Sequence, residues 1–259
     1  HLSALISALA MSSCLNRKLK VLTKDEIYEE ISEDIVKLIN EKHNAVLGLA
    51  TGSSPVGVYQ KLIEKYADKK VSFKDVITYN LDEYVGLTKD NDQSYYYFMM
   101  NQLFKHVDIN LANVHVPDGI ETEKCIETYE SNMAKDGGID YQILGIGSNG
   151  HIAFNEPGTP LDSHIHIVTL KDSTRKDNAR FFASIDEVPT HAITMGLKSI
   201  LAGKRIVLIA TGKNKALAIK RLFEEGETTD LPASVLKEHP NVTIYCDEDA
   251  ASLLEKVGA

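Results

Sequence analysis

The stretch YQILGIGSNGHIAFNEPG, residues 141–158, decides the fold. A short apolar run, YQIL, empties into a turn that carries Gly145, Gly147, Asn149, Gly150, His151 and Glu156. An apolar run of this length, bounded by glycine, reads as a buried strand. A plain connection needs only turn chemistry. This one adds an imidazole and a carboxylate where the strand ends.

The same plan recurs along the chain. AVLGLA (45–50) runs into TGSSP (51–55), and Pro55 suits the first turn of a following helix, VGVYQKLIEKYA. RIVLIATG (205–212) runs into the helical KNKALAIKRLFEE (213–225). VITYNLDEY (76–84), AITMG (192–196) and VTIYCDED (242–249) read as further strands, and HIHIVTLK (164–171) alternates in period two like a strand with one wet face. Between them lie helical patterns: a capping box at Thr23 and Glu26 before IYEEISEDIVKLINEK, then 92–107, then 122–138 closed by Gly137 and Gly138, then DSTRKDNARFFAS, and finally DAASLLEKV. Strands alternating with helices, most of them continuous apolar runs, predict a parallel sheet covered on both faces. The expected fold is α/β: a Rossmann-like, three-layer sandwich in one domain over residues 18–259. Residues 158–190, polar and set between strands, are the expected lid. Residues 1–17 begin with His, not Met, and are expected to be an appended extension.

Composition narrows the function. With 28 basic and 37 acidic residues the net charge is -9, which argues against non-specific nucleic-acid binding. Cys14, Cys125 and Cys246 are widely spaced and form no CxxC pair, so neither a zinc site nor a disulfide framework is expected. Cys125 and Cys246 fall in helix-like and strand-like runs and read as small buried hydrophobes. No apolar stretch reaches the roughly 20 residues needed to span a bilayer, and the N-terminus lacks the basic segment of a secretion signal. A cytoplasmic, metal-free protein is expected.

Ligands of such folds bind at the carboxyl ends of the strands, and four strand ends here carry chemistry. In LATGSSP, Gly52, Ser53 and Ser54 precede a helix whose free N–H groups suit an anion, phosphate above all. It is neither a Walker loop nor GxGxxG, and alone it reads equally as a plain cap. In NLDEYVG, Asp82 and Glu83 are adjacent, so only one is expected to face the site; a carboxylate there, its pKa raised by burial, can take a proton from carbon. A solvated acidic turn is the ordinary alternative. In the opening stretch His151 is the candidate acid–base. Glu156 can bond a ring nitrogen and fix its tautomer, and Asn149 can do the same or touch substrate. In ATGKNKALAIK, Lys213 or Lys215 sits unfavourably at a helix start unless an anion is bound, and Arg180 can fork onto a phosphate. SYYYFMM (94–100) reads as core, with Tyr95 a possible wall of the site. His43, His106 and His239 read as helix-end or loop residues.

LATGSSP, NLDEYVGL, DQSYYYFM, GIGSNGHIAFNEPG, ARFF and TGKNKA resemble, in order and spacing, the glucosamine-6-phosphate deaminase (glucosamine-6-phosphate isomerase) family, from about Lys18 to the C-terminus. The resemblance implies conversion of glucosamine 6-phosphate and water to fructose 6-phosphate and ammonia, with no metal or organic cofactor. By that resemblance Asp82 is the base that moves a proton between the second and first carbons, and His151, oriented by Glu156, assists ring opening. Ser53, Arg180 and Lys215 hold the phosphate, with Gly52 and Ser54 helping. The chain departs from the family twice. Many members carry aspartate where this chain has Asn149, which predicts a weaker upward push on the His151 pKa. The hexameric branch binds an activating sugar phosphate through basic residues that fall here on His166 and Val168, and valine cannot hold a phosphate. The expectation is a monomer or low-order oligomer acting on a small sugar phosphate without that allosteric site. The alternatives are a 6-phosphogluconolactonase-like hydrolase and a non-catalytic sugar-phosphate sensor. Asp82 speaks against the first. The second needs a DNA-reading module, for which only about twenty residues precede the first helix.

Overall fold

The computed structural model describes residues 17–255. Among these described residues ten strands and seven α-helices follow in order: β1 (Arg17–Val21), α1 (Lys24–Glu41), β2 (Val46–Leu49), α2 (Val56–Ala67), β3 (Ile77–Asn80), β4 (Asp82–Tyr84), α3 (Tyr95–Gln102), β5 (Val114–His115), α4 (Thr122–Lys135), β6 (Tyr141–Gly145), β7 (His166–Thr169), α5 (Asp172–Asn178), β8 (His191–Thr194), α6 (Leu197–Leu201), β9 (Ile206–Ala210), α7 (Ala216–Glu224) and β10 (Val242–Cys246). Seven strands form one sheet in the order β1-β10-β9-β6-β2-β3-β5. Every pairing in it is parallel.

A parallel strand buried on both faces must be apolar at every position, and β9 (IVLIA) is buried throughout. Its side chains alternate between two cores. Val207 and Ile209 join Ile27, Ile31 and Ile35 of α1 and Val58 and Leu62 of α2. Ile206, Leu208 and Ala210 join Tyr129 and Met133 of α4 and Ile219 and Leu222 of α7. These two cores make the three layers. The capping box at Thr23 and Glu26 starts α1, and Gly137 (φ +97°) and Gly138 (φ +80°) end the turn after α4. Cys125 and Cys246 are buried thiols whose pKa burial raises. Cys14 lies outside the described residues, as do residues 1–16 of the expected extension.

Several sequence expectations change. The run 76–84 is not one strand: it breaks at Leu81, and β4 leaves the main sheet for a second, antiparallel sheet ordered β4-β8-β7. The expected strand AITMG becomes β8 of that small sheet, whereas the all-parallel reading had placed it in the main one. Pattern could not show this, because a short apolar strand looks alike in either direction. Thr194 and the backbone of Met195 seal the switch: Thr194 pairs opposite Asp82, and the Met195 N–H donates to the Leu81 carbonyl at 2.8 Å. β1, beginning at the edge of the expected extension, adds a strand that was not anticipated. DAASLLEKV is a succession of turns over its described residues. The Asp247 carboxylate takes the Ala250 N–H (2.9 Å) and the Gly212 N–H (3.1 Å), which ties this segment to the loop after β9 in place of a helix. The expected helix over 92–107 is shorter, α3 followed by a 3-10 turn at Phe104–His106.

After β2 the chain moves outward to β3 and β5; β6, β9 and β10 run the other way. The strand order therefore reverses between neighbours β2 and β6. Their carboxyl-end loops diverge and leave a crevice, the usual ligand site of an open α/β sheet.

Candidate active site

A cleft of about 380 Å³ opens at that reversal, lined by Gly52, Ser53 and Ser54 after β2, Asp82 of β4, Tyr95 of α3, His151 after β6 and Lys215 before α7. All four strand ends singled out in the sequence thus converge. The loop before α2 brings the N–H groups of Gly52, Ser53 and Ser54 to the cleft, none of them hydrogen-bonded among the described residues. Gly52 holds φ +85°, which a side chain rarely tolerates. Across from it, the Lys215 ammonium donates to the Ile146 carbonyl at 2.6 Å, and burial lowers its pKa. Free N–H groups at a helix start facing a half-buried ammonium form an anion cradle.

Asp82 and Glu83 point to opposite sides of β4, as the period of a strand requires. Asp82 faces the cleft and is 7% exposed. Its carboxylate has no hydrogen-bond partner among the described residues. Burial, reinforced by the nearby Glu83 charge, pushes its pKa up to about 8. Glu83 lies on the far side, beside a separate cavity that includes Lys89 and Asp118. Burial also pushes it up, to about 7, against three backbone donors: Tyr84 N–H at 2.9 Å, Tyr95 N–H at 2.8 Å and Tyr96 N–H at 3.1 Å. Tyr95 and Tyr96 begin α3, so Glu83 anchors that helix and does not reach the cleft. The two acids divide into one bare and one bonded.

His151 sits on the turn after β6 so close to Gly147 that a Cβ there would fall 2.0 Å from its ring. Its Nδ1 lies 2.7 Å from Asn149 Oδ1, and the Asn149 Nδ2 donates to Glu156 Oε2 at 2.7 Å. Glu156 itself is 3.8 Å from Nδ1. The sequence offered Glu156 or Asn149 as the ring's partner, and the geometry selects Asn149, with Glu156 one step behind. The chain fixes every proton. A carboxylate only accepts, so the Asn149 amide must turn its NH₂ to Glu156 and its oxygen to the ring. Nδ1 then carries hydrogen, and Nε2 is left with a lone pair. Burial lowers the His151 pKa, Glu156 opposes that, and Lys215 and Lys171 add to it. The imidazole is therefore neutral at neutral pH.

Ala153, also on the cleft wall, adopts φ +53°, a conformation that costs energy for a residue with a side chain. The Asn155 amide holds the turn by donating to the carbonyls of Ile152 (3.1 Å) and Met195 (2.8 Å). Arg180 is not in this cleft. It lines an adjoining cavity of about 610 Å³ that shares Gly52, Ser53 and Tyr95 with it, and its guanidinium lies 4.4 Å from the Phe181 ring centre. Lys213 does not line the cleft; Asn214 and Lys215 do. His239 is buried on the Gly203 carbonyl, and His106 bonds the Asn101 carbonyl, so both are structural. Tyr84 was missed, although its spacing of two from Asp82 on a strand places both on one side. Among the described residues no cluster of acidic, histidine and cysteine side chains suits a metal, and no helix is long and apolar enough to cross a membrane.

A strand-reversal crevice with an anion cradle, a bare buried carboxylate and a neutral imidazole fits the match found for the chain: a family model described as glucosamine-6-phosphate isomerases/6-phosphogluconolactonase covers residues 20–245. The chain belongs to that family. Within it, the chain is 52% identical over 232 residues to a glucosamine-6-phosphate deaminase of Thermoanaerobacter pseudethanolicus, covering 89% of this chain and 92% of the relative. It is 49% identical over 243 residues to that of Mycoplasma mycoides subsp. mycoides SC, covering 93% and 99%. A solved monomeric glucosamine-6-phosphate deaminase superposes with a TM-score of 0.86 at 43% identity, over 92% of this chain and 99% of that one.

Proposed function

We propose that the chain is a glucosamine-6-phosphate deaminase, converting glucosamine 6-phosphate and water to fructose 6-phosphate and ammonia. The observation that carries this is Asp82: a buried carboxylate with no partner, in the same cleft as a neutral imidazole of fixed tautomer. The phosphate lies on the N–H groups of Gly52, Ser53 and Ser54 with Lys215 beside it. His151 Nε2 accepts the proton of the anomeric hydroxyl and delivers a proton to the ring oxygen, and the pyranose opens to the aldehyde. The Asp82 carboxylate removes the proton on C2 while the substrate's own ammonium gives a proton to O1, leaving a neutral enolamine, and Asp82 then returns its proton to C1. The product is an imine at C2; water adds there, and ammonia leaves. A base that gives back the proton it took works best with a pKa near the working pH, which is where burial sets Asp82. The assignment agrees with the names of the relatives at about 50% identity. The cytoplasm is the proposed location, and a monomer or small oligomer the proposed state.

The test is release of ammonia and fructose 6-phosphate from glucosamine 6-phosphate in equal amounts. Binding without release would favour the sensor reading. A second expectation concerns the cradle. Lys215→Met removes a charge-assisted contact worth about 1.5–3 kcal/mol, so KM for the sugar phosphate rises roughly 10- to 100-fold while kcat changes much less. Steady-state kinetics checks this, and an unchanged KM would place the phosphate elsewhere.

A further inference from the structure

The segment that carries Arg180 is tied to the strand that carries Asp82 by one hydrogen bond. In α5, Asn178 Nδ2 donates to the Tyr84 hydroxyl at 2.9 Å. Among the described residues this is the only hydrogen bond between α5 and β4. The other end of the segment is pinned elsewhere: Arg175 Nη2 donates to the carbonyls of Ile185 and Val188, both at 3.1 Å. Tyr84 is also the centre of an aromatic cluster. Its ring lies 4.9 Å from Tyr95, 6.0 Å from Phe154 and 6.1 Å from Phe182, centre to centre. Tyr95 and Phe154 stack at 6.0 Å and both line the catalytic cleft. Phe182 belongs to the Arg180 segment. Tyr84 thus touches the base strand, the cleft wall and the lid together.

We infer that the Tyr84 hydroxyl and the Asn178 amide form a latch that positions Arg180 against the substrate phosphate, setting affinity and leaving the proton transfers alone. Three observations carry it. Arg180 stands two residues after Asn178. It shares its cavity with Gly52 and Ser53 of the phosphate cradle. Its own guanidinium bonds no carboxylate among the described residues; it rests on Phe181, an exposed ring, and is free to turn inward. Tyr84 is buried, and its hydroxyl also shares a hydrogen bond with the Tyr95 side chain, so it is held in place on the β4 side. Its single bond to the Asn178 amide is a weak tie, of the strength that lets a short segment open and reclose. Tyr84 and Asn178 are positioning residues: neither lines the cleft that holds Asp82 and His151.

The inference rests on the deaminase reading, so its test has two separate readouts. Tyr84→Phe keeps the ring and its packing, and Asn178→Ala removes the other partner. The first readout is hydrogen exchange of the amides in 172–182, measured without ligand. Each variant raises exchange there by about fivefold, as expected for one lost hydrogen bond, and the double variant by no more than either single one. The second is steady-state kinetics with glucosamine 6-phosphate. Each variant raises KM about five- to tenfold, kcat stays within about twofold, and the pH profile does not move, because Asp82 and His151 keep their surroundings. Unchanged exchange in both singles, or effects that add in the double variant, would overturn the latch. A fall in kcat at constant KM would overturn its assignment to the phosphate end. If the wild-type protein releases no ammonia, the deaminase reading falls by itself, and the exchange data still decide whether the latch exists.

Discussion

Asp82→Asn abolishes turnover and at the same time stabilises the protein. The two effects share a cause. The carboxylate is buried on the cleft wall with no donor to hold its charge, and its pKa stands near 8, far above the ordinary 3.8. Replacing a general base of this kind costs roughly 10²- to 10⁴-fold in rate, and a base that also returns the proton lies at the upper end. The stability effect follows from linkage. In the unfolded chain Asp82 ionises near pH 4, whereas in the folded chain it keeps its proton to about pH 8. The folded state therefore binds the extra proton across that window, and stability falls as pH rises through it. Above pH 8 the native carboxylate is charged and unsolvated, and the loss is complete. An amide of the same shape has no such charge. The expected gain is about 1–2 kcal/mol at pH 9, or roughly 3–6 °C in Tm for a chain of this size, and it shrinks towards pH 5. Thermal melts of both proteins across pH 5–9 measure it. A variant that is inactive but no more stable at pH 9 would mean that the carboxylate has a donor in solution. In the wild type, kcat/KM rises on its acid side through about pH 8, since the free enzyme must lose the Asp82 proton to act as base.

The fold was legible where burial is complete. The runs of β2, β6, β9 and β10 are apolar at nearly every position, and only a strand covered on both faces reads that way. The small sheet was not legible. HIHIVTLK showed its period of two, and β7 indeed alternates between half-buried and exposed residues. Nothing local states that β7 and β4 pair antiparallel with β8, because that depends on which strand the chain meets after turning at Leu81. The site was legible because glycine, hydroxyl, carboxylate and imidazole clustered at strand ends, and the sheet topology brings strand ends together. Resemblance to a known family then supplied the reaction. What pattern could not resolve was one side chain's hold on another. Arg180 was expected in the phosphate grip, and the structure sets it in the adjoining cavity. Glu156 was expected to orient the ring, with Asn149 as the other option; the distances put Asn149 on Nδ1 and Glu156 one step behind it.

That order gives the second large effect. His151→Gln removes the proton carrier of ring opening and lowers kcat by roughly 10²- to 10³-fold. Asn149→Leu keeps the imidazole but removes the acceptor at Nδ1, 2.7 Å away. The ring can then carry its proton on either nitrogen, and the tautomer with Nε2–H cannot accept from the anomeric hydroxyl. The expected loss is about 10- to 100-fold. Glu156→Gln acts one step further back. A glutamine in that place can still accept from the Asn149 Nδ2 now bonded to Glu156 Oε2, but it no longer forbids the reversed amide. Its expected loss is about 3- to 10-fold. The carboxylate also raises the His151 pKa, in opposition to burial, so removing its charge lowers that pKa and moves the His151 limb of the pH–rate profile to lower pH. The three variants thus form a graded series along the hydrogen-bond chain, His151 above Asn149 above Glu156. Rate and pH profile measured together test it: if Glu156→Gln fell as far as His151→Gln, the carboxylate would be bonding the imidazole directly during turnover, and the Asn149 relay would not be the working arrangement.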